Sequence, residues 1–200
     1  MDKTFSLRRQ EIVDKESGVE ELNGRWPALF TMDEINAEFT RITTVPLTPR
    51  FLASLDKHHG KLIDIVRNKG GVVRETTRDL LLDQVVQKDE AETELERCAM
   101  AVFVIREEED PLQPPHDIGI IIEGVEVMNQ LPSFAHACAM LFGFIYALNL
   151  SYPSQLKYTF DALQKLFMGI EPKQMTRRVC SLSVKLQVLN DSDMYTPVLR

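Results

Sequence analysis

The sequence predicts an α+β fold, mainly helical, in which a small antiparallel hairpin or sheet packs on a central apolar helix. Three observations predict it. Residues 98–105 and 117–127 are β-rich and apolar, and an acidic, proline-rich break lies between them, as in two strands joined by a loop. Residues 134–150 form an apolar run of 17 residues that contains His136 and Asn149. A membrane span needs about 20 apolar residues, so this run is expected to be a buried helix. Most of the remaining chain shows apolar residues at helical spacing. A small hairpin is marginal alone and needs such helices to cover it.

Residues 1–24 mix charges without clear periodicity and are expected to form a flexible N-terminal arm, with a short helix near 8–13. A single α+β domain is expected over 25–189. Trp26, Leu29 and Phe30 are too apolar to stay together in water and should dock on it. Thr31-Met-Asp-Glu34 is a capping box, with Phe30 and Ile35 placed as a hydrophobic staple, so a helix starts there. Ile35, Phe39 and Ile42 share one face of it, and Pro46 ends it. Thr48-Pro49 is a second cap followed by a first-turn proline. An apolar stripe from Phe51 to Val66 continues that helix to about Asn68, before Gly70-Gly71. Gly60 lies inside it and suggests the close approach of a neighbour. Thr76 or Thr77 should open a third helix through Val86, and residues 89–96 alternate acids with Ala91, Thr93 and Leu95.

Strands are expected over 100–105, 118–122 and 125–127, the last two interrupted at Gly124. Ser133 should cap the central helix. After the break at Ser151-Tyr-Pro153, Leu156, Phe160, Leu163 and Phe167 should form the buried face of another helix closed by Gly169. A last helix is expected over 179–189 and a frayed tail over 190–200.

The net charge is −7 and uneven: residues 1–150 carry 16 basic and 26 acidic residues, residues 151–200 carry 7 and 4. An acidic body argues against nucleic acid as the partner, because a phosphate backbone demands clustered positive charge. Cys98, Cys138 and Cys180 are widely spaced, odd in number and set among apolar residues, which predicts buried thiols. Residues 1–20 carry no apolar stretch of a signal peptide. The expected setting is therefore intracellular, cytoplasmic or nuclear, for a soluble chain with no transmembrane segment.

No residue set reads as catalytic. His58 and His59 are adjacent on a helix and point about 100° apart, which does not suit one metal ion. His116 and Asp117 follow an acidic loop, residues 107–110, at the mouth of a strand. Asp110, His116, Asp117 and Glu123 are the candidates for an acidic or metal site of a metal-dependent hydrolase, the alternative function. That loop lacks the alternating donors and fixed glycine of a calcium loop. Glu123 and Glu126 flank Gly124 without a positioned histidine or nucleophile. His136 and Cys138 are two apart on a helix and form no dyad. Gly119, Gly124 and Gly143 do not have the spacing of a dinucleotide fingerprint, so no cofactor is implied. Arg177-Arg178, with Lys173 and Lys185, is the only basic cluster and suits an acidic partner surface. Weak nucleic-acid binding through this segment is a further alternative.

Several strings are specific. They include Trp26-Pro-Ala-Leu-Phe30, Glu38-Phe39 with Arg41-Ile42-Thr43, and Leu55-Asp56. Asp117-Ile-Gly-Ile-Ile-Ile-Glu-Gly-Val-Glu-Val127, Tyr146-Ala-Leu-Asn-Leu-Ser-Tyr-Pro153 and Leu156-Lys-Tyr-Thr-Phe160 extend the set. Over 25–189 the chain thereby resembles a group of uncharacterised fish proteins of the sterile alpha motif domain-containing kind, in a region outside the sterile alpha motif itself. The resemblance implies no catalytic activity and no cofactor. The self-associating helical bundle that names the group is not visible in this chain.

These observations together predict a non-enzymatic protein–protein interaction or oligomerisation domain, with a protein partner or a second copy as ligand. Trp26, Phe30, Arg177 and Arg178 are the candidate contacts.

Overall fold

The computed structural model describes residues 2–15, 17–68, 99–105 and 115–186. The expected third helix, the acidic stretch 89–96, the loop carrying Asp110, Cys98 and the tail 190–200 lie outside them. The described residues form a mainly helical α+β structure with one three-stranded antiparallel sheet. The chain divides into two compact units. The first comprises 1–52 and 85–153, the second 53–84 and 154–200.

In the first unit, helix α1 (Phe5–Lys15) and helix α2 (Val19–Arg25) precede a 3-10 turn at Pro27–Phe30 and helix α3 (Met32–Thr43). Residues 5–15 and 19–25 are thus helical, where their composition suggests a flexible arm. Only Ile12, Val19 and Leu22 bury apolar side chains there, so hydrophobic periodicity is faint. Two arginines anchor α1 instead. Arg8, fully buried, is bonded to Glu38 of α3. Arg9 donates to the carbonyls of Tyr146 and Ala147, where the central helix leaves acceptors unpaired.

Thr31 caps α3 by accepting from the Glu34 amide at 3.4 Å. Glu34 does not reach back to complete the capping box; its carboxylate meets Arg41 at 2.7 Å. The helix ends at Thr44, whose backbone is left-handed at φ 63°. Helix α4 (Leu47–Asn68) begins one residue before Thr48. Thr48 gives both its amide and its hydroxyl to the Asn36 side chain, so the cap comes from α3. Among the described residues, nothing beyond the helix's own backbone lies within 4 Å of the Cβ position at Gly60, where a close neighbour was expected.

Strands β1 (Met100–Ile105), β2 (Asp117–Ile122) and β3 (Val125–Met128) lie in that order across the sheet. Phe103 pairs with Gly119, and a bulge at Ile120/Ile121 shifts the β2–β3 register. Ile118, Ile120 and Ile122 alternate onto one buried face. The central helix α5 (Phe134–Ala147) packs against β1, β2 and α3, with Ser133 as its cap. Its close contact with α3 and α4 requires a glycine. A Cβ on Gly143 would lie 2.6 Å from Ile35 Cγ2 and 2.5 Å from Leu47 Cδ2. Phe30 stacks on Phe144, and Phe39 on Phe142 and Tyr146. Among the described residues no helix is long and apolar enough to cross a membrane.

In the second unit, helix α6 (Lys157–Ala162) runs into a π-helical turn at Leu163–Phe167, and helix α7 (Arg177–Leu186) follows. Ala162, Leu166, Phe167, Val179 and Leu186 form its core, with Leu55, Leu62 and Ile65 of α4 against them. Leu156 stands before the helix as its non-helical N-cap. Leu166 enters the core, whereas Leu156, expected on the buried face, is 41% exposed. Gly169 closes the segment with φ 70°, as expected.

Candidate functional site

In the first unit Trp26 is half-buried and Phe30 is buried. Trp26 donates its indole N–H to Glu11 at 3.3 Å, and the Arg8 guanidinium lies over its ring at 5.9 Å. Glu11 also meets Arg25 at 2.9 Å. Phe30 is buried against Phe144 and forms the floor of an open cleft of about 340 Å³, with Met32, Glu126 and Met128 along its sides. Neither aromatic ring stands free in solvent.

Of the acidic candidates, Asp110 lies outside the described residues. The His116 amide extends the β1–β2 ladder to the Ile105 carbonyl at 2.8 Å. Asp117 accepts from the Gln130 amide at 2.7 Å and closes the loop after β3, where Gln130 has φ 52°. Glu123 accepts from the Val19 amide at 3.1 Å and so caps α2 from the neighbouring hairpin turn. Asp117 and Glu123 stand at opposite ends of β2, about 20 Å apart at the rise of a strand. They do not converge on one ion. Among the described residues, no three His, Cys, Asp or Glu side chains gather around a possible metal position.

The histidines and thiols are placed by packing. His58 is buried beside the Phe167 ring, while His59 points outward and bonds the Asp56 carbonyl. His136 sits 2.9 Å from the Ser133 hydroxyl at the start of α5. Burial pushes the Cys138 thiol up to about 11. Cys180 is exposed rather than buried, because it lies on the outer side of α7.

The charges separate by unit. The first unit holds 10 basic and 21 acidic residues; the second holds 13 basic and 9 acidic. They are also used differently. In the first unit, Arg8, Arg9, Arg25 and Arg41 are all engaged internally. Burial pulls the Arg41 guanidinium down, but its bonds to Glu34, Glu38 and Asp2 outweigh this and raise it above its usual range. Burial lowers Arg9, against the pull of Glu38.

On its last helix the second unit leaves three cations outward. Helix α7 contains no acid, and Arg177, Arg178 and Lys185 are exposed on it. The nearest acids in sequence are occupied: Asp161 accepts from Thr176 and pairs with Lys165, and Glu171 accepts from Gln164. Arg178 lies over the Tyr158 ring at 4.4 Å. Val184 is 65% exposed, and Tyr158 and Leu156 are 44% and 41% exposed. Arg177, Ser181 and Val184 share one stripe of the helix, and Arg178, Ser181 and Lys185 the next. Arg177 and Arg178 were visible in the sequence as a basic pair. Tyr158 was not, because no local pattern places its ring against α7.

Residues 1–31 match the family model for the helical domain of sterile alpha motif domain-containing protein 3. The chain is similar to that family there. The matched stretch contains α1, α2 and the Trp26–Phe30 string. No curated protein and no solved structure gives a match.

Proposed function

We propose that the chain is a non-enzymatic protein-interaction or oligomerisation module, with the outer face of α7 as its contact. One observation carries this reading. Arg178 lies over an exposed Tyr158 ring at 4.4 Å with no carboxylate partner among the described residues, beside Arg177 and the exposed Val184. A guanidinium on an aromatic ring is pre-ordered, so little side-chain freedom is lost when a carboxylate binds it. Apolar side chains among cations add area that a purely electrostatic contact lacks. The similarity of residues 1–31 to a helical domain of a sterile alpha motif protein is compatible with such a role. Kinship with the fish proteins of that group over residues beyond 31, and an intracellular setting, are part of the same proposal. Trp26 and Phe30 support the module by packing and are not its contact.

A glutamate-rich peptide interspersed with leucine, labelled for fluorescence anisotropy, tests the reading. The whole chain should bind it, and binding should weaken as salt rises. Arg177→Glu with Arg178→Glu should weaken binding roughly tenfold or more, since two surface ion pairs become two repulsions. Equal binding by wild type and this variant would reject the face.

A further inference from the structure

We propose that the partner of the α7 face is the acidic first unit of a second copy of this chain, so that copies associate head to tail. The inference rests on the reading of α7 as a contact face and supplies its occupant. Charge complementarity points to it. Among the described residues, the first unit holds 7 basic and 11 acidic residues and the second 9 basic and 4 acidic. On the acidic side, Glu20 and Glu21 open α2, and Glu123 and Glu126 flank the β2–β3 turn. These elements are held together, since Glu123 caps α2 and α2 packs against β3. All four carboxylates are on exposed residues, and residues 17–24 and 115–150 contain no Lys or Arg. On the basic side, Arg177, Arg178 and Lys185 have no carboxylate partner among the described residues of their unit. Opposite charges that each unit leaves unneutralised are satisfied when a second copy is docked.

The geometry of such a contact has a consequence. Two different patches meet, so a pair joined by one such contact still offers one free acidic and one free basic face. Association then continues past the dimer as concentration rises, unlike an isologous pairing through one apolar patch. Exposed ion pairs contribute little individually, so the contact is weak, fast and salt-sensitive.

Sedimentation velocity of the whole chain tests this. At low salt, the weight-average mass should climb with concentration beyond the dimer, and at high salt it should return to the monomer. Arg177→Glu with Arg178→Glu should stay monomeric, and so should Glu21→Lys with Glu126→Lys. An equimolar mixture of the two variants should associate again, because one supplies an intact acidic face and the other an intact basic one. Thermal melts check that each variant is folded. If the double Glu variant is not, Arg177→Gln with Arg178→Gln replaces it, and should weaken association without repulsion.

A wild type that is monomeric throughout, association indifferent to salt, or a mixture no better than its parts would each overturn the proposal. The glutamate-rich peptide separates the two levels. A monomeric chain that binds the peptide through α7 retains the contact face and loses the second copy as its occupant. A monomeric chain that ignores the peptide loses both.

Discussion

Arg8 and Glu38 meet as a fully buried ion pair, guanidinium to carboxylate at 2.5 Å and 3.3 Å, across 30 residues of sequence. The pair joins α1 to α3, and Arg41 shares the same carboxylate from the solvent side at 2.8 Å. The two partners are not equivalent. Removing Arg8 leaves Glu38 still held by Arg41. Removing Glu38 takes from Arg8 its closest carboxylate in the interior and leaves it partners that include Thr4 and a more distant Glu34 at 3.7 Å. Arg8→Met should therefore cost about 3 kcal/mol and Glu38→Leu more, up to about 5 kcal/mol. The double variant should be less destabilised than Glu38→Leu alone. Urea unfolding of the four proteins measures this, and strictly additive losses would show that the pair is not coupled.

Glu123 occupies the first position of a tight hairpin turn, with φ 53° at Glu123 and 76° at Gly124. Asparagine suits that position better than glutamate, because its side chain tolerates the left-handed region. Glutamate is nevertheless useful there because its carboxylate caps α2. Glu123→Ala should lose the cap and cost about 1 kcal/mol. Glu123→Asn should cost less, since the better turn residue offsets the lost cap. Thermal denaturation orders the three, and an alanine variant as stable as wild type would remove the capping role.

Two glycines hold elements at close quarters. A Cβ at Gly119 would lie 2.3 Å from the Phe103 ring and 2.7 Å from the Met128 carbonyl oxygen. At Gly143 it would meet only side chains, from Ile35 and Leu47. Gly119→Ala should thus cost about 2 kcal/mol or more, and shortening Phe103 should not rescue it, because the backbone clash remains. Gly143→Ala should be eased by Leu47→Ala in the same chain. A double-mutant cycle distinguishes the two cases, since neighbours in contact couple by about 0.5–3 kcal/mol.

The helix starts at Thr31 and Ser133, the three strands and the buried 134–147 helix were legible because each is written locally, in caps and apolar alternation. The N-terminal helices were not. Arg8, Arg9 and Glu11 resemble surface charges until α3 and α5 are placed beside them. A signal did exist: Glu34, Glu38 and Arg41 form a charged stripe on a helix whose other face is apolar. Such a stripe asks for a complement elsewhere in the chain. Leu156 was misplaced for a different reason. Helical spacing counts it one turn before Phe160, but the helix starts at Lys157 and Leu156 is its non-helical N-cap. Of the candidate contacts, Arg177 and Arg178 were legible from composition. Their relation to Tyr158 depends on how α6 and α7 pack, which no local pattern encodes.

The same packing separates the thiols. Cys138 lies among the buried residues of α5, and burial raises its pKa to about 11 from an ordinary value near 9. Cys180 lies outward on α7. Because the thiolate is the reactive form, an alkylating reagent near pH 8 should modify Cys180 within the folded protein and Cys138 only after unfolding. Peptide mass spectrometry of native and urea-treated samples reads both sites. The sign of the stability effect follows from the raised pKa. Below about pH 9 both states keep the Cys138 proton; between about 9 and 11 the unfolded chain ionises first and is favoured. Stability should fall over that interval by up to about 2 kcal/mol through this group. Cys138→Ala removes a small part of the packing at all pH values, but it should flatten the alkaline decline relative to wild type. Parallel pH profiles for the two proteins would show that the thiol is not the titrating group.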